Sequence, residues 1–141
     1  MADALERALA ATGLRRLYLP LGLFHSDHRL TSDAALRVVV RRPAWSWHLY
    51  EDAIYRRFPG LREERLAALA ADGYEVGPVE ELRDAGRTAK NQAVACYRSQ
   101  IRALTAPGHP GCDDVFRPEW THRLAPIPAG VRRTGPSHDR R

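Results

Sequence analysis

Cysteine, methionine and lysine are scarce in this chain of 141 residues, which has two cysteines, one methionine and only Lys90 as lysine among 22 basic residues. The two cysteines, Cys96 and Cys112, are far apart in sequence and form no CxxC pair. A disulfide scaffold and a cysteine-based zinc ribbon are therefore excluded.

Long apolar runs are also missing. No segment approaches the roughly 20 apolar residues that a membrane-spanning helix needs, and the first residues lack the basic segment and apolar core of a secretory signal. With 44% hydrophobic and 28% charged residues, the composition is that of a globular protein, and the length suits one domain. We expect a cytoplasmic protein with no membrane contact.

The positive charge is concentrated at one end of the chain. The net charge is +5, but the last ten residues contribute +3 of it through four arginines and one aspartate. The rest of the chain is nearly neutral and contains no recognisable groove-reading module, so nucleic acid is not an expected partner.

Helical and strand patterns alternate along the chain, which predicts an α/β fold with a parallel sheet. The nearly continuous apolar residues of 14–21 predict a strand covered on both faces. Further helices are predicted over 2–11, over 61–71 and over 84–104, and one more runs from a cap at Thr31 or Ser32 to Pro43. Further strands are predicted over 44–50 and over 74–79. Six of the ten prolines lie at or after Pro107. They predict an ordered, loop-rich segment over 107–125 and a basic, disordered tail over 126–141, so the domain is expected to span 1–125.

The stretch His25-Ser26-Asp27-His28 lies between a predicted buried strand and a predicted helix. Ligands of open α/β sheets bind outside the carboxyl ends of the strands, where this stretch is expected. Neutral imidazole is a good zinc ligand, and a nearby carboxylate can fix its tautomer. Ordinary surface or capping chemistry is the alternative explanation of this spacing.

Three adjoining segments together resemble the second metal motif of the PIG-L/LmbE family of zinc-dependent N-deacetylases: Tyr18 to Gly22, His25 to Arg29, and Thr31 to Leu36. Two later segments, His48 to Asp52 and Lys90 to Gln100, are similar to family segments that follow in the same order. The likeness covers about residues 14–125.

The resemblance implies a partial Rossmann-like, LmbE-type parallel sheet with flanking helices, lacking the N-terminal strands. It implies a hydrolase that uses Zn²⁺ to remove an N-acetyl group from an amino sugar, of the N-acetylglucosaminyl type, or from its conjugate. By position in the motif, His28 would be the zinc ligand, and His25 would stabilise the oxyanion or protonate the leaving amine. Asp27 would orient a neighbouring side chain.

One part of the family pattern has no counterpart here. The family's His-Pro-Asp-Asp motif supplies two further zinc ligands and the general base, and it precedes the segments matched here, yet only thirteen residues precede Leu14. We therefore expect the isolated chain to be inactive unless a partner chain or a preceding segment supplies that motif. The alternative is a non-catalytic remnant or a sugar- or protein-binding module of the same fold. His109 to Asp114 contains His-Pro and Asp-Asp, but a turn-rich surface loop is its more ordinary explanation.

Two further pairs of residues allow more than one interpretation. Trp45 and Trp47 could stack on a sugar, although aromatic residues in strands more commonly pack in the core or on a sheet face. Glu51 and Asp52 at a strand end could hold a positive group in the site, or they could be a solvated pair or a helix cap.

Overall fold

The computed structural model describes residues 1–55, 58–82, 87–104 and 119–128. Within these ranges the chain forms five helices: α1 (Ala2–Ala11), α2 (Ser26–Arg41), α3 (Leu61–Ala71), α4 (Arg87–Ala95) and α5 (Arg98–Leu104). The strands of the same ranges are β1 (Arg16–Pro20), β2 (Ser46–Tyr50), β3 (Tyr74–Leu82) and β4 (Glu119–Pro126). The predicted mixture of helices and strands is confirmed. None of the described helices combines the length and the apolar character needed to cross a membrane.

The four described strands form one mixed sheet in the order β1-β2-β4-β3. β1 and β2 are parallel, but β4 runs antiparallel to both of its neighbours. The prediction of a parallel sheet is therefore correct only for the first pair. The prediction of a loop-rich 107–125 is wrong for 119–125, because these residues belong to the strand at the centre of the sheet. The predicted disordered tail is wrong at its start, because Pro126 belongs to β4 and the N–H of Ile127 donates to the carbonyl of Gly73. Residues 107–118 and 129–141 lie outside the described residues.

The core covers one face of the sheet. Alternate residues of each strand point to this face, where they meet the apolar sides of α2 and α3. Its buried members include Leu17, Leu19, Trp47, Leu49 and Leu124 from the strands and Ala35, Val38, Val39 and Leu69 from the helices. The expectation that the first strand is covered on both faces is wrong, because Arg16 and Tyr18 on its other face are exposed.

Two helix boundaries differ from the expected ones. α2 begins at Ser26 rather than after Thr31 or Ser32, because the side chain of His25 accepts a hydrogen bond from the backbone N–H of Asp27 and so caps the helix six or seven residues earlier. The motif His25-Ser26-Asp27-His28 is thus a helix start and not a loop. The expected helix over 84–104 is interrupted after Ala95, where the chain makes a tight turn before α5 begins at Arg98.

The central position of β4 can be tested by removing one of its core side chains. We expect Leu124→Ala to lower the free energy of unfolding by about 2–5 kcal/mol, since it leaves a cavity among buried residues. Leu14→Ala is the matched control, because Leu14 is 59% exposed and its loss should cost less than about 0.5 kcal/mol. Urea unfolding measures both. Equal midpoints for the two variants would contradict the placement of β4 in the core.

Candidate functional site

The candidate site lies where β1 and β2 end. The backbone N–H of Leu21 donates to the carbonyl of Tyr50 at 2.8 Å, which keeps the two chain segments together one residue beyond β1. Gly22 follows with a φ of +77°, and a Cβ at this position would come within 3.2 Å of the Cα of Arg29. Glycine is therefore required for the chain to turn so closely against the first turn of α2. The turn brings Leu23 and α2 beside the residues that follow β2.

The carboxylate of Asp52 joins these segments. It is buried, its Oδ2 accepts a hydrogen bond from the backbone N–H of Leu23 at 2.7 Å, and its Oδ1 lies 2.6 Å from Nδ1 of His28. The His28 side chain remains 42% exposed. With Nδ1 donating to a carboxylate, His28 carries its hydrogen on that atom and presents Nε2 to a ligand, which is how histidine ligands of metals are commonly oriented.

The structure brings His25 and His28 together, with ring centroids 5.4 Å apart. Because Nδ1 of His25 accepts the capping hydrogen bond, the ring hydrogen of the neutral imidazole is on Nε2, and the ring is half exposed. Asp27 is largely exposed, and its carboxylate lies 3.9 Å from Nδ1 of His25. The residue that orients His28 is therefore Asp52, which is 24 positions away in sequence.

A second histidine–carboxylate pair lies directly beside the first, between β2 and β4. Glu51 and His122 are both buried, and Nε2 of His122 lies 2.8 Å from Oε1 of Glu51. The other ring nitrogen of His122 is 3.0 Å from the carbonyl oxygen of Gly77. Both partners accept hydrogen bonds when Glu51 is ionised, so His122 must then carry two ring hydrogens. The hydrogen bond to Glu51 accordingly raises the pKa of His122 above its ordinary value.

These contacts decide between the interpretations that the sequence allows for Glu51 and Asp52. Neither residue is solvated, and each holds an imidazole. The role of His122 could not be found from the sequence, because nothing in its neighbourhood marks it as the partner of Glu51. Trp47 is a core residue that donates from its indole to the carbonyl of Arg42, and Trp45 lies beneath the guanidinium groups of Arg15 and Arg42.

Among the described residues, only some of the donors required for zinc are present. His28, held by Asp52, fits the role of one zinc ligand, but no group of three or more His, Cys, Asp or Glu side chains in the described ranges is placed to hold a metal ion. A catalytic zinc commonly has three protein ligands. His109, Cys112, Asp113 and Asp114 lie outside the described residues.

Comparison of the chain with protein-family models, with curated proteins and with solved structures gave no match.

Removal of the Asp52 carboxylate should disturb both the fold and the site. We expect Asp52→Ala to lower the free energy of unfolding by about 3 kcal/mol, because it leaves the N–H of Leu23 and Nδ1 of His28 without their partner. In Asp27→Ala, which removes a largely exposed carboxylate, the loss should be under about 1 kcal/mol. Urea unfolding measures both losses. Similar losses in the two variants would show that Asp52 does not join the two segments.

The Glu51–His122 pair predicts a stability that depends on pH. The pKa of His122 is raised above the ordinary 6.5, so the protonated ring stabilises the folded state. This contribution is complete below about pH 6.5 and is lost as the pH rises through the folded pKa. The wild type should therefore lose stability as the pH rises above about 6.5, relative to the double variant Glu51→Gln/His122→Gln, which has no titratable group at either position.

Comparison with the double variant isolates this pair, since every other titratable group is common to the two proteins. His48 is one such group, and its pKa is lowered, chiefly by burial. Free energies of unfolding from urea titrations at several pH values provide the measurement. Parallel pH profiles for the two proteins would contradict a protonated His122 in the fold.

Proposed function

We propose that this chain forms part of a zinc-dependent N-deacetylase that acts on an N-acetylated amino sugar or its conjugate, with His28 as a zinc ligand. The observation that carries the proposal is the 2.6 Å contact between Nδ1 of His28 and the buried carboxylate of Asp52. It fixes the tautomer of the ring and leaves Nε2 to bind the metal. The resemblance of residues 14–125 to the PIG-L/LmbE family supplies the reaction and the substrate class.

A zinc ion held by His28 and further ligands would supply a Lewis acid that makes water a nucleophile at neutral pH. The residues of this chain contribute the orientation of the ligand and a hydrogen-bond donor. Asp52 keeps His28 in one tautomer and one rotamer. His25 holds its hydrogen on Nε2 while it caps α2, so it is suited to donate a hydrogen bond to the amide oxygen as negative charge develops there.

Catalysis needs further zinc ligands and a general base, and the described residues contain no group of three donors that could hold the ion. The segment His109 to Asp114 of this chain, a preceding segment or a partner chain would have to supply them. We therefore expect hydrolysis only when the further ligands and the general base are supplied beside His28.

Zinc binding by the full chain tests the proposal. In a titration with Zn²⁺ followed by histidine ring NMR signals, Nε2 of His28 should shift at the lowest zinc concentration, and His28→Gln should remove this binding. Asp52→Asn, which takes away the charge that supports the ligand, should weaken the affinity by about 10- to 100-fold. His48→Gln is the control, because His48 lies on β2 and contacts Ser46 and Tyr18 rather than Asp52. Unchanged zinc binding in His28→Gln would refute the assignment.

A second function is favoured by the donor set itself. Because the described residues place no three-donor group around a metal, the same fold could bind a sugar or a protein without hydrolysing anything. Binding of an N-acetylated amino sugar with no zinc dependence, together with no release of acetate when zinc is added, is the outcome expected for this binding module.

A further inference from the structure

Three partly exposed aromatic side chains form a cluster next to His25. The ring of Tyr55 lies 5.0 Å from that of Phe24 and 6.4 Å from that of Phe58, with planes tilted by 37° and 30°. Phe24 is 64% exposed and Phe58 is 42% exposed. We call these three residues the aromatic platform.

The platform is held by the residue that also holds His28. Phe24 follows Leu23, whose backbone N–H donates to the carboxylate of Asp52. The backbone N–H of Tyr55 donates to the carbonyl of Asp52 at 2.9 Å, and that of Phe58 donates to the carbonyl of Tyr55 at 3.1 Å. The positions of the rings and of the imidazole therefore depend on the same residue.

Polar groups adjoin the platform along the chain. His25, Ser26 and Asp27 follow Phe24 directly, and all three are exposed. A ligand that covers aromatic rings and also contacts hydroxyl, carboxylate and imidazole groups needs an apolar face with a polar edge. A pyranose ring has this character, since the C–H groups on one face are weakly positive and pack against the negative face of an aromatic ring, while its hydroxyl and amide groups point outward.

We propose that the aromatic platform binds the pyranose ring of an N-acylated amino sugar, with the amide of the sugar directed toward His25 and His28. The choice of substrate class rests on the proposed function. The platform itself rests on the exposure of Phe24 and Phe58 and on their spacing from Tyr55, which is partly buried against the core. This assignment replaces the tryptophan pair as the sugar-stacking group, because Trp47 is in the core and Trp45 is beneath two arginines. An acyl chain or an apolar protein helix fits less well, since neither would use the exposed polar residues beside Phe24.

Binding of a simple sugar to the full chain tests the platform without zinc. The probe is the methyl glycoside of N-acetylglucosamine, added to protein in a chelating buffer and followed by saturation-transfer NMR and by shifts of the aromatic ring signals. The wild type should transfer saturation to the ring protons of the sugar and show shifts at Phe24 and Tyr55. Phe24→Ala and Tyr55→Ala should each weaken binding by about three- to tenfold, and Phe24→Tyr should keep it.

Tyr97→Ala is the matched control, because Tyr97 is 63% exposed and lies between α4 and α5. The Tyr97→Ala variant should bind the sugar with the same affinity as the wild type. Circular dichroism checks that each variant is folded, and Phe24→Tyr separates loss of the ring from loss of structure.

Three results would overturn the platform assignment: undetectable sugar binding in the wild type, equal affinity in Phe24→Ala and the wild type, or equally tight binding of cyclohexylmethanol. Self-association that disappears in Phe24→Ala would also overturn it, because a second copy would then cover the rings. The test is independent of the zinc titration. If the zinc titration shows binding at His28 but the sugar does not bind, the platform alone is rejected. If the sugar binds but the separate zinc titration shows no binding at His28, the deacetylase is rejected.

Discussion

The buried carboxylate of Asp52 determines where the candidate site lies and which groups it contains. A carboxylate taken out of water is costly unless its oxygens are well paired. Here one oxygen is paired with the backbone N–H of Leu23 and the other with Nδ1 of His28. Because these partners belong to the end of β1 and to the first turn of α2, satisfying one charge fixes the path of both segments and the orientation of the imidazole.

Glu51 and Asp52 show how two successive carboxylates at a strand end can serve different parts of a fold. Their contacts differ: Glu51 pairs with His122 of β4, whereas Asp52 pairs with Leu23 and with His28 in the first turn of α2. The pair of Glu51 with His122 fastens the two halves of the sheet and is fully enclosed. The pair of Asp52 with His28 leaves the imidazole partly exposed. The first pair therefore contributes to stability, and the second is suited to ligand binding.

Local pattern was enough to predict α1 and α3 and to name His25 and His28 as neighbouring candidates, because each depends on residues a few positions apart. β4 could not be predicted, since its inward-facing His122 interrupts the apolar alternation that would otherwise mark a strand. The sequence named Asp52 as a candidate but not its partner, because the contact with His28 joins residues 24 positions apart and the one between Glu51 and His122 spans 71. Capping was one explanation that the sequence allowed for His25 to His28, but the cap of α2 was predicted at Thr31 or Ser32, because histidine is not among the usual capping residues.

The sheet order also has a consequence for how the protein is made. β4 is the last described strand in sequence, yet it lies between β2 and β3 and pairs with both. While the ribosome is still adding residues before 119, β2 and β3 each expose an edge that has no permanent partner. A chain emerging from the exit tunnel therefore cannot complete its sheet strand by strand. The edges of β2 and β3 that β4 will occupy stay unpaired until β4 has been synthesised. During that interval a chaperone or another nascent chain can bind to these edges in place of β4.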